Sequence, residues 1–354
     1  MRKFLAVLVA CAAIGGPVAL GARPSQADVA PVADAAVSLQ VAQATANSVG
    51  QTTINWQSSA TVTPAKGTLL RARIDNVGLV PLFSETLTVN PGAKLAPNFT
   101  IDPACTVTTG ATSDTVTCTY GSLAAGASTP YVYVPATMPS TGTITSTAST
   151  AASPDGVVQL TPDANDSASV TSTAANSGYA FVTDGQSATF HSADAKVDET
   201  FSVPTGATKG GGVFVRLYEG DASDTTCGTT TCYTPEARAD FVQVGGTPAT
   251  VDNPFRIAVG YATKQTCNGL GYGSSCNPIF YLKTGQTAGV AQLVQKCTSG
   301  YSSNNPNATG VKAIPDPCVY SLGRHGDLDT DDPVTYYIAL LDDIGFPIPV
   351  LGGK

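Results

Sequence analysis

The feature that most restricts the fold of this chain is an alternation of apolar and polar side chains that recurs roughly every ten residues. The alternating segments are rich in Val, Thr, Ile and Tyr, and clusters of Gly, Pro, Asn and Asp separate them. A period of two residues places the apolar side chains on one face of a strand, whereas a helix needs a period near 3.6. The pattern therefore predicts an all-β protein built from β-sandwiches.

The strand candidates fall into two groups, on either side of the small-residue stretch AANSG at 174–178. The first group is Ala36–Val41, Thr52–Val62, Leu69–Asp75, Glu85–Val89, Thr115–Tyr120, Tyr131–Val134, Gly142–Thr150 and Ala168–Ser172. The second group is Ala180–Thr183, Ala188–His191, Glu199–Val203, Val213–Glu219, Ala239–Val244, Phe255–Ala262, Ile279–Lys283, Ala291–Lys296 and Val334–Leu341. Each group is large enough for its own sandwich, so we predict two modules that fold independently. The small side chains of Gly142–Thr150 suit a strand at a solvent-facing edge.

The first 27 residues predict a secretory signal peptide. Two basic residues precede an apolar run from Phe4 to Ala22, and the small residues Ser25 and Ala27 suit cleavage after Ala27. An alternative interpretation treats the residues before Cys11 as a lipobox, which would leave that cysteine lipidated and the protein anchored to a membrane.

The chain is acidic, with a formal net charge of −8 that becomes −11 when the three basic residues of 1–27 are removed. Nucleic acids and anionic membranes require concentrated positive charge, which this chain lacks. No later segment approaches the ~18 consecutive apolar residues of a membrane helix. We therefore expect a secreted, extracellular protein, free or held noncovalently in the cell wall, with no transmembrane segment and no nucleic-acid partner.

Eight cysteines follow the signal peptide, and an even number in a secreted chain predicts disulfides. Zinc is the alternative, but only Cys227 and Cys232 approach a zinc-ligand spacing and the chain has two histidines. Closure of short loops favours sequential pairing, although six cysteines in one module allow fifteen connectivities. The predicted pairs are Cys105–Cys118, Cys227–Cys232, Cys267–Cys276 and Cys297–Cys318.

Motifs in the first half of the chain resemble a known family. They are RARIDNVGLVPLFSETLTVNPG (Arg71–Gly92), DTVTCTYGSLAAGAS (Asp114–Ser128), GTITSTASTAAS (Gly142–Ser153) and DANDSASVTS (Asp163–Ser172). Over residues 35–174 the chain resembles the conserved repeat domain of unknown function eleven, which is similar to the cysteine-rich outer-membrane protein of chlamydiae. The resemblance implies an immunoglobulin-like β-sandwich of secreted and wall-associated bacterial proteins, with no catalytic residues to carry over.

The second half resembles an unnamed β module of actinobacterial surface proteins, through the pattern KC…DPCVYSLGRHGDLD…TYYIALLDD between Lys296 and Asp343. The expected organisation is therefore a signal peptide at 1–27, an immunoglobulin-like sandwich at 28–174, a linker at 175–178 and a second, disulfide-rich β module at 179–354.

The sharpest polar cluster is the acidic run GDLDTDDP. Its carboxylates are Asp327, Asp329, Asp331 and Asp332. Alternating carboxylates in a loop can bind calcium, which takes six to eight oxygen ligands. Asp332 and Ile338 stand where an EF-hand needs its turn glycine and its bidentate glutamate. We therefore favour a solvated turn, keep calcium as the alternative, and predict no cofactor.

Catalytic constellations are weak throughout the chain. His325 lies close to Asp327, but no G-x-S-x-G elbow presents a nucleophile. His191 has no neighbouring His or Cys-x-x-Cys partner for a metal. Lys209–Gly212 lacks the G-K-[ST] of a phosphate-binding loop and predicts a flexible turn. We therefore predict no catalytic residues and no enzyme.

Aromatic residues offer a weak binding signal. Tyr131 and Tyr133 alternate with valines, which predicts one phenolic and one aliphatic face of a strand. An exposed tyrosine pair can stack on sugars, but tyrosines at the rim of a buried face are the more common case. Trp56 is a candidate for the sandwich core.

These features favour a noncatalytic secreted or cell-surface structural or interaction protein of a bacterium. Its partner would be an unknown cell-surface protein or a wall polysaccharide. The alternative is a secreted carbohydrate- or protein-binding module, for which aromatics clustered on one sheet face would be the sign. A third hypothesis is a wall-polymer hydrolase with scattered carboxylates, because such sites leave no sequence motif.

Overall fold

The structure is a computed structural model, and it describes most of the chain from residue 32 onwards. The described residues are 32–46, 52–62, 66–151, 164–175, 178–191, 197–219, 226–227, 232–261, 280–281, 292–302, 305, 307–324, 334–341 and 346–351. They are all strands, turns and irregular segments.

Ten strands form the first module. They are β1 (Ala35–Ala46), β2 (Thr52–Gln57), β3 (Ser59–Val62), β4 (Gly67–Asn76), β5 (Thr86–Asn90), β6 (Cys105–Thr108), β7 (Thr115–Thr119), β8 (Val132–Thr137), β9 (Thr143–Ala151) and β10 (Ser167–Ala174). Strands β2, β1, β4 and β8 pair in that order into one layer, and β3, β10, β9, β5, β7 and β6 pair in that order into the other.

A buried apolar core lies between these two layers and explains the sequence alternation. Val37, Leu39 and Val41 of β1 are buried, whereas Ser38 and Gln40 between them are partly exposed. Leu87 and Val89 of β5 contribute to the same core from the opposite layer. The first module is therefore a β-sandwich, as predicted.

Strand β9 differs from the prediction of a solvent-facing edge. It pairs with β10 on one side and with β5 on the other, so it is an inner strand of its layer. Ile144, Ser146 and Ala148 are buried, and the Ser146 hydroxyl donates a 2.8 Å hydrogen bond to the Pro91 carbonyl oxygen. The small side chains of β9 allow the strand to pack closely against the neighbouring loop. They do not mark an edge strand.

The remaining strands belong to the second module. They are β11 (Gly178–Thr183), β12 (Ser187–His191), β13 (Val197–Ser202), β14 (Gly212–Glu219), β15 (Thr226–Cys227), β16 (Cys232–Val244), β17 (Phe255–Tyr261), β18 (Phe280–Tyr281), β19 (Gln292–Leu293), β20 (Gln295–Lys296), β21 (Cys318–Arg324), β22 (Val334–Leu340) and β23 (Phe346–Leu351). Strands β12, β13, β17, β22, β21 and β20 form a separate sheet in that order, while β23, β16, β14 and β11 continue the larger sheet of the first module.

The second core lies between these two sheets of the second module. Phe201, Phe241 and Phe255 form its centre, with ring centroids 5.1 to 5.6 Å apart. All three side chains are buried, together with Ile257 of β17 and Ile338 of β22. The predicted all-β fold and the presence of disulfides are thus confirmed.

The two predicted modules meet at β11, a strand of the larger sheet that runs through both. Its residue Tyr179 pairs with Val62 of β3, and Phe181 pairs with Gly67 of β4. A Cβ atom at Gly67 would lie 2.2 Å from the Phe181 carbonyl oxygen, so only glycine permits this approach. Side chains of β11 and β14 alternate between the two cores: Tyr179, Phe181 and Phe214 join the first, and Ala180, Val182, Val213 and Val215 join the second.

Candidate binding sites

The outer face of the first layer carries a row of polar and aromatic side chains. Gln40 of β1 lies opposite Arg71 of β4, and Arg71 lies opposite Tyr133 of β8. Residues in register point to the same face of a sheet, so the three side chains share one surface. The Arg71 guanidinium donates two hydrogen bonds, of 2.9 and 2.6 Å, to the Gln40 side-chain oxygen.

Arg71 is stacked between two aromatic rings. Its guanidinium carbon lies 4.3 Å from the Trp56 ring centroid and 4.2 Å from the Tyr131 ring centroid. Arg73 lies 4.6 Å from the centroid of Tyr131, and Trp56 packs on Tyr133 with centroids 5.8 Å apart. We call these five residues the aromatic–arginine face. Because the rings and the glutamine hold the guanidinium in place, the face is assembled before any partner arrives.

Two sequence predictions concern residues of this face. Val132 and Val134 are buried while Tyr131 and Tyr133 are half-buried, so the division of this strand into a phenolic and an aliphatic face is confirmed. Trp56, predicted in the sandwich core, is instead half-buried on the outer face, where it packs against the edge of the core. Ala42 of β1 lies opposite Trp56, and its small side chain leaves space for the indole ring on the outer face.

Exposed apolar side chains continue from β4 into the following loop. Val77, Leu79 and Phe83 are exposed, at 54%, 78% and 42% of their surface, and they account for three of the five exposed large apolar residues in the described part of the chain. Exposed apolar residues are informative when they cluster. This loop begins directly after the strand that carries Arg71 and Arg73.

A second candidate site is a cleft of about 550 Å³ on the outer face of the six-stranded sheet. Arg256 and Ala258 alternate along β17 with core residues, so they face away from the second core. Ala258 lies opposite Thr200 of β13 on one side and Tyr337 of β22 on the other. The small alanine between these larger side chains forms the floor of the cleft.

A disulfide-closed loop builds one wall of this cleft. Cys297 and Cys318 are bonded, and the loop between them packs Ala308, Val311 and Ala313 into a small cluster with Tyr320 and Ala339. Asn307 in this loop lines the cleft, and the turn Gly185–Ser187 lines it from the opposite side. The bond closes a loop with a sequence separation of 21 residues, for which chain entropy predicts a stabilisation of about 3 kcal/mol.

Arg256 is the single charged side chain among the described residues that line the cleft. Its guanidinium lies 5.3 Å from the ring centroid of Tyr320, whose ring is 6.0 Å from that of Tyr337. Burial raises the pKa of Tyr320, and the neighbouring Arg256 charge opposes that rise only in part. At neutral pH the cleft therefore holds a neutral phenol beside a permanent cation.

Two of the four expected disulfides are present in the described residues. Cys105 and Cys118 are bonded and lie opposite each other in the β6–β7 hairpin, which they staple. The second is Cys297–Cys318 of the cleft wall. Cys227 and Cys232 face each other in the backbone register of β15 and β16, but their side chains lie outside the described parts, as do Cys267 and Cys276 entirely.

The other predicted site residues have side chains outside the described part of the chain. Asp327, Asp329, Asp331, Asp332 and His325 lie outside the described residues, so the choice between a turn and a calcium loop stays a prediction. His191 ends β12, and its side chain also lies outside the description. Where the structure is described, no three His, Cys, Asp or Glu side chains are grouped for a metal ion.

Lys209–Gly212 forms the turn before β14, held to the first module by a 2.9 Å hydrogen bond from the Thr100 amide to the Gly210 carbonyl oxygen. No helix in the described residues is long and apolar enough to cross a membrane.

Comparison with known proteins adds little to these observations. No family model matches the sequence, and no curated protein matches it. One similar solved structure is the crystal structure of the CARDB domain of the PF1109 protein from Pyrococcus furiosus, in complex with di-metal ions. It is 14% identical, covers 41% of this chain and 94% of that domain, and has a TM-score of 0.26. The function is therefore inferred from the residues of the chain itself.

Proposed function

We propose that this chain is a noncatalytic interaction protein of the cell exterior, which binds a protein partner through the aromatic–arginine face of its first module. The observation that carries the proposal is the stacking of Arg71 between Trp56 and Tyr131 on an accessible sheet face. Trp, Tyr and Arg are the residue types most enriched among the hot spots of protein interfaces.

The preorganisation of the face supports this function. An arginine that is already fixed by two rings and by Gln40 loses little side-chain entropy when it binds. The loop that follows β4 exposes three further apolar side chains of the same module, Val77, Leu79 and Phe83. The Arg73 Nε atom is already paired with the Asp75 carboxylate at 2.9 Å. Because this pair offsets its charge, Arg73 contributes to the shape of the face more than to its positive charge.

A polysaccharide partner is the second candidate, and the same aromatic clustering favours it. Tyr and Trp rings pack against sugars as well as against protein side chains. Export, which the predicted signal peptide implies, would place the chain in the compartment where cell-surface proteins and polysaccharides occur.

The proposal is tested by binding of the purified, fluorescently labelled chain to intact cells of the organism that encodes it. We expect Trp56→Ala and Arg71→Ala each to weaken binding by about tenfold or more, because truncated hot-spot residues cost at least about 2 kcal/mol. Val107→Ala is the matched control, since Val107 is exposed on the opposite layer at β6. Thermal melts verify that each variant is folded.

Pretreatment of the cells distinguishes the two kinds of partner. Loss of binding after protease treatment supports a protein partner, whereas loss after periodate oxidation supports a polysaccharide. Equal binding by wild type, Trp56→Ala and Arg71→Ala would overturn the proposal for this face.

A further inference from the structure

We infer that the cleft on the outer face of the six-stranded sheet is a binding site for an acidic saccharide, with Arg256 holding its carboxylate. This site belongs to the second module and involves none of the residues of the aromatic–arginine face. The inference can therefore be tested independently of the interaction proposed for the first module.

The charge of the cleft selects an anionic ligand. Arg256 is the one charged group among the described lining residues, and its Nε atom is buried without a hydrogen-bond partner. A guanidinium has five N–H donors arranged as a fork that matches the two oxygens of a carboxylate. The guanidinium already bonds to the Tyr320 side chain, and a carboxylate in the cleft would add charge-assisted hydrogen bonds to it.

The rest of the lining selects a ligand that carries hydroxyl groups. Thr200 and Ser202 provide hydroxyls from β13, which can both donate and accept hydrogen bonds. Gln186 and Asn307 provide amides from opposite walls. The Thr200 hydroxyl already shares a 3.0 Å hydrogen bond with the Thr189 hydroxyl. A sugar ring offers hydroxyls around its rim that can both donate to and accept from the polar groups of the lining.

The aromatic side chains and the size of the cleft fit the same ligand. Tyr337 is half-buried and lines the cleft, so its ring offers an apolar surface for the C–H face of a sugar. A volume of about 550 Å³ falls within the range of ~300 to 1,000 Å³ that small-molecule sites occupy. Together these features specify one carboxylate, several hydroxyls and one apolar ring face.

The test is isothermal titration of the full chain with a galacturonate trisaccharide, with the same trisaccharide after reduction of its carboxyl groups, and with acetate. We expect the acidic trisaccharide to bind about tenfold or more tightly than its carboxyl-reduced form, because charge-assisted hydrogen bonds are the stronger ones. Acetate should bind more weakly still, since it lacks the hydroxyls and the ring. These comparisons use only the wild-type protein, so a misfolded variant cannot obscure them.

Variants locate the binding in the cleft. Arg256→Gln should abolish the preference for the acidic trisaccharide, and Arg256→Lys should retain only part of it, because lysine lacks the fork. Lys209→Gln, which removes an exposed positive charge of the same module outside the cleft, should leave the affinity unchanged. Equal affinity for the acidic and reduced trisaccharides, or undiminished preference in Arg256→Gln, would overturn the inference.

Discussion

Tyr179, in the first strand of the second module, donates its phenolic hydroxyl to the backbone carbonyl oxygen of Ala42, in the first strand of the first module. The tyrosine side chain is 1% exposed, and burial raises its pKa above the ordinary value of tyrosine. The phenol therefore stays protonated and able to donate. This buried hydrogen bond connects two residues that are 137 positions apart along the chain.

Removal of this hydroxyl should weaken the connection between the modules. Tyr179→Phe deletes one buried hydrogen bond, and we expect the free energy of unfolding to fall by about 1 kcal/mol. Denaturant unfolding monitored by far-ultraviolet circular dichroism measures the change. Tyr131→Phe is the matched control, because Tyr131 is half-buried on the outer face. Equal losses in both variants would contradict a special role for the Tyr179 hydroxyl.

Division of the chain between residues 176 and 177 should expose part of the first core. Tyr179, Phe181 and Phe214 belong to that core but come from the second module, and each aromatic side chain contributes about 2 kcal/mol when buried. We expect a fragment of residues 177–354 to bind a hydrophobic dye and to unfold at lower denaturant concentration than the intact chain. Independent folding, as the sequence suggests, would instead give two fragments whose transitions match those of the whole protein.

Burial of Glu85 should make the stability of the protein fall as pH rises above 4.5. The side chain is fully buried; its Oε2 accepts a 3.1 Å hydrogen bond from the Thr150 hydroxyl, while its Oε1 has no partner. Burial raises the pKa of this carboxyl above 4.5. The folded state thus keeps a proton that the unfolded state releases, so the contribution of Glu85 to stability falls as pH rises from 4.5 through the raised pKa.

Glu85→Gln should therefore raise the melting temperature at neutral pH and flatten its decline above pH 4.5. Asp114 is a control of opposite sign, because a backbone hydrogen bond from Leu95, with help from Lys94, lowers its pKa. Its contribution is present above pH 3.8 and is lost as pH falls through the lowered pKa, so Asp114→Asn should destabilise the protein at neutral pH. Thermal melts across this pH range check both, and a lower melting temperature for Glu85→Gln at neutral pH would contradict the assignment.

The alternation of the sequence predicted the strands that have one buried face and one solvent-exposed face. Every strand candidate overlaps an observed strand, yet β6, β15, β21 and β23 were missed. The residues of β6 are mostly exposed, whereas Cys318–Ser321 of β21 are buried in succession because the disulfide-closed loop covers the outer face. Strand β6 has only four residues, Cys-Thr-Val-Thr, which is too short to establish a period of two, and β21 has no such period because successive residues are buried.

The two sites could be predicted only in part. Alternation with valines placed Tyr131 on the outer face, but the stacking of Arg71 on Trp56 depends on the register between strands that are separated in sequence. The cleft combines a turn, the four inner strands β13, β17, β21 and β22, and a loop, and nothing in their local sequences marks them as neighbours. Such sites follow from topology, which one sequence does not specify.

The Cys297–Cys318 disulfide should control the shape of the cleft. Its loop forms one wall, and the packing of Ala308, Val311 and Ala313 against Tyr320 is local to that loop. The double variant Cys297→Ser, Cys318→Ser removes the closure, and we expect a loss of about 3 kcal/mol together with faster amide hydrogen exchange across residues 307–313. The matched control is Cys105→Ser, Cys118→Ser, whose bond closes a loop of similar length in the first module. It should cost a similar free energy but leave hydrogen exchange at 307–313 unchanged, and equal acceleration in both double variants would show that the effect is global and not local to the cleft.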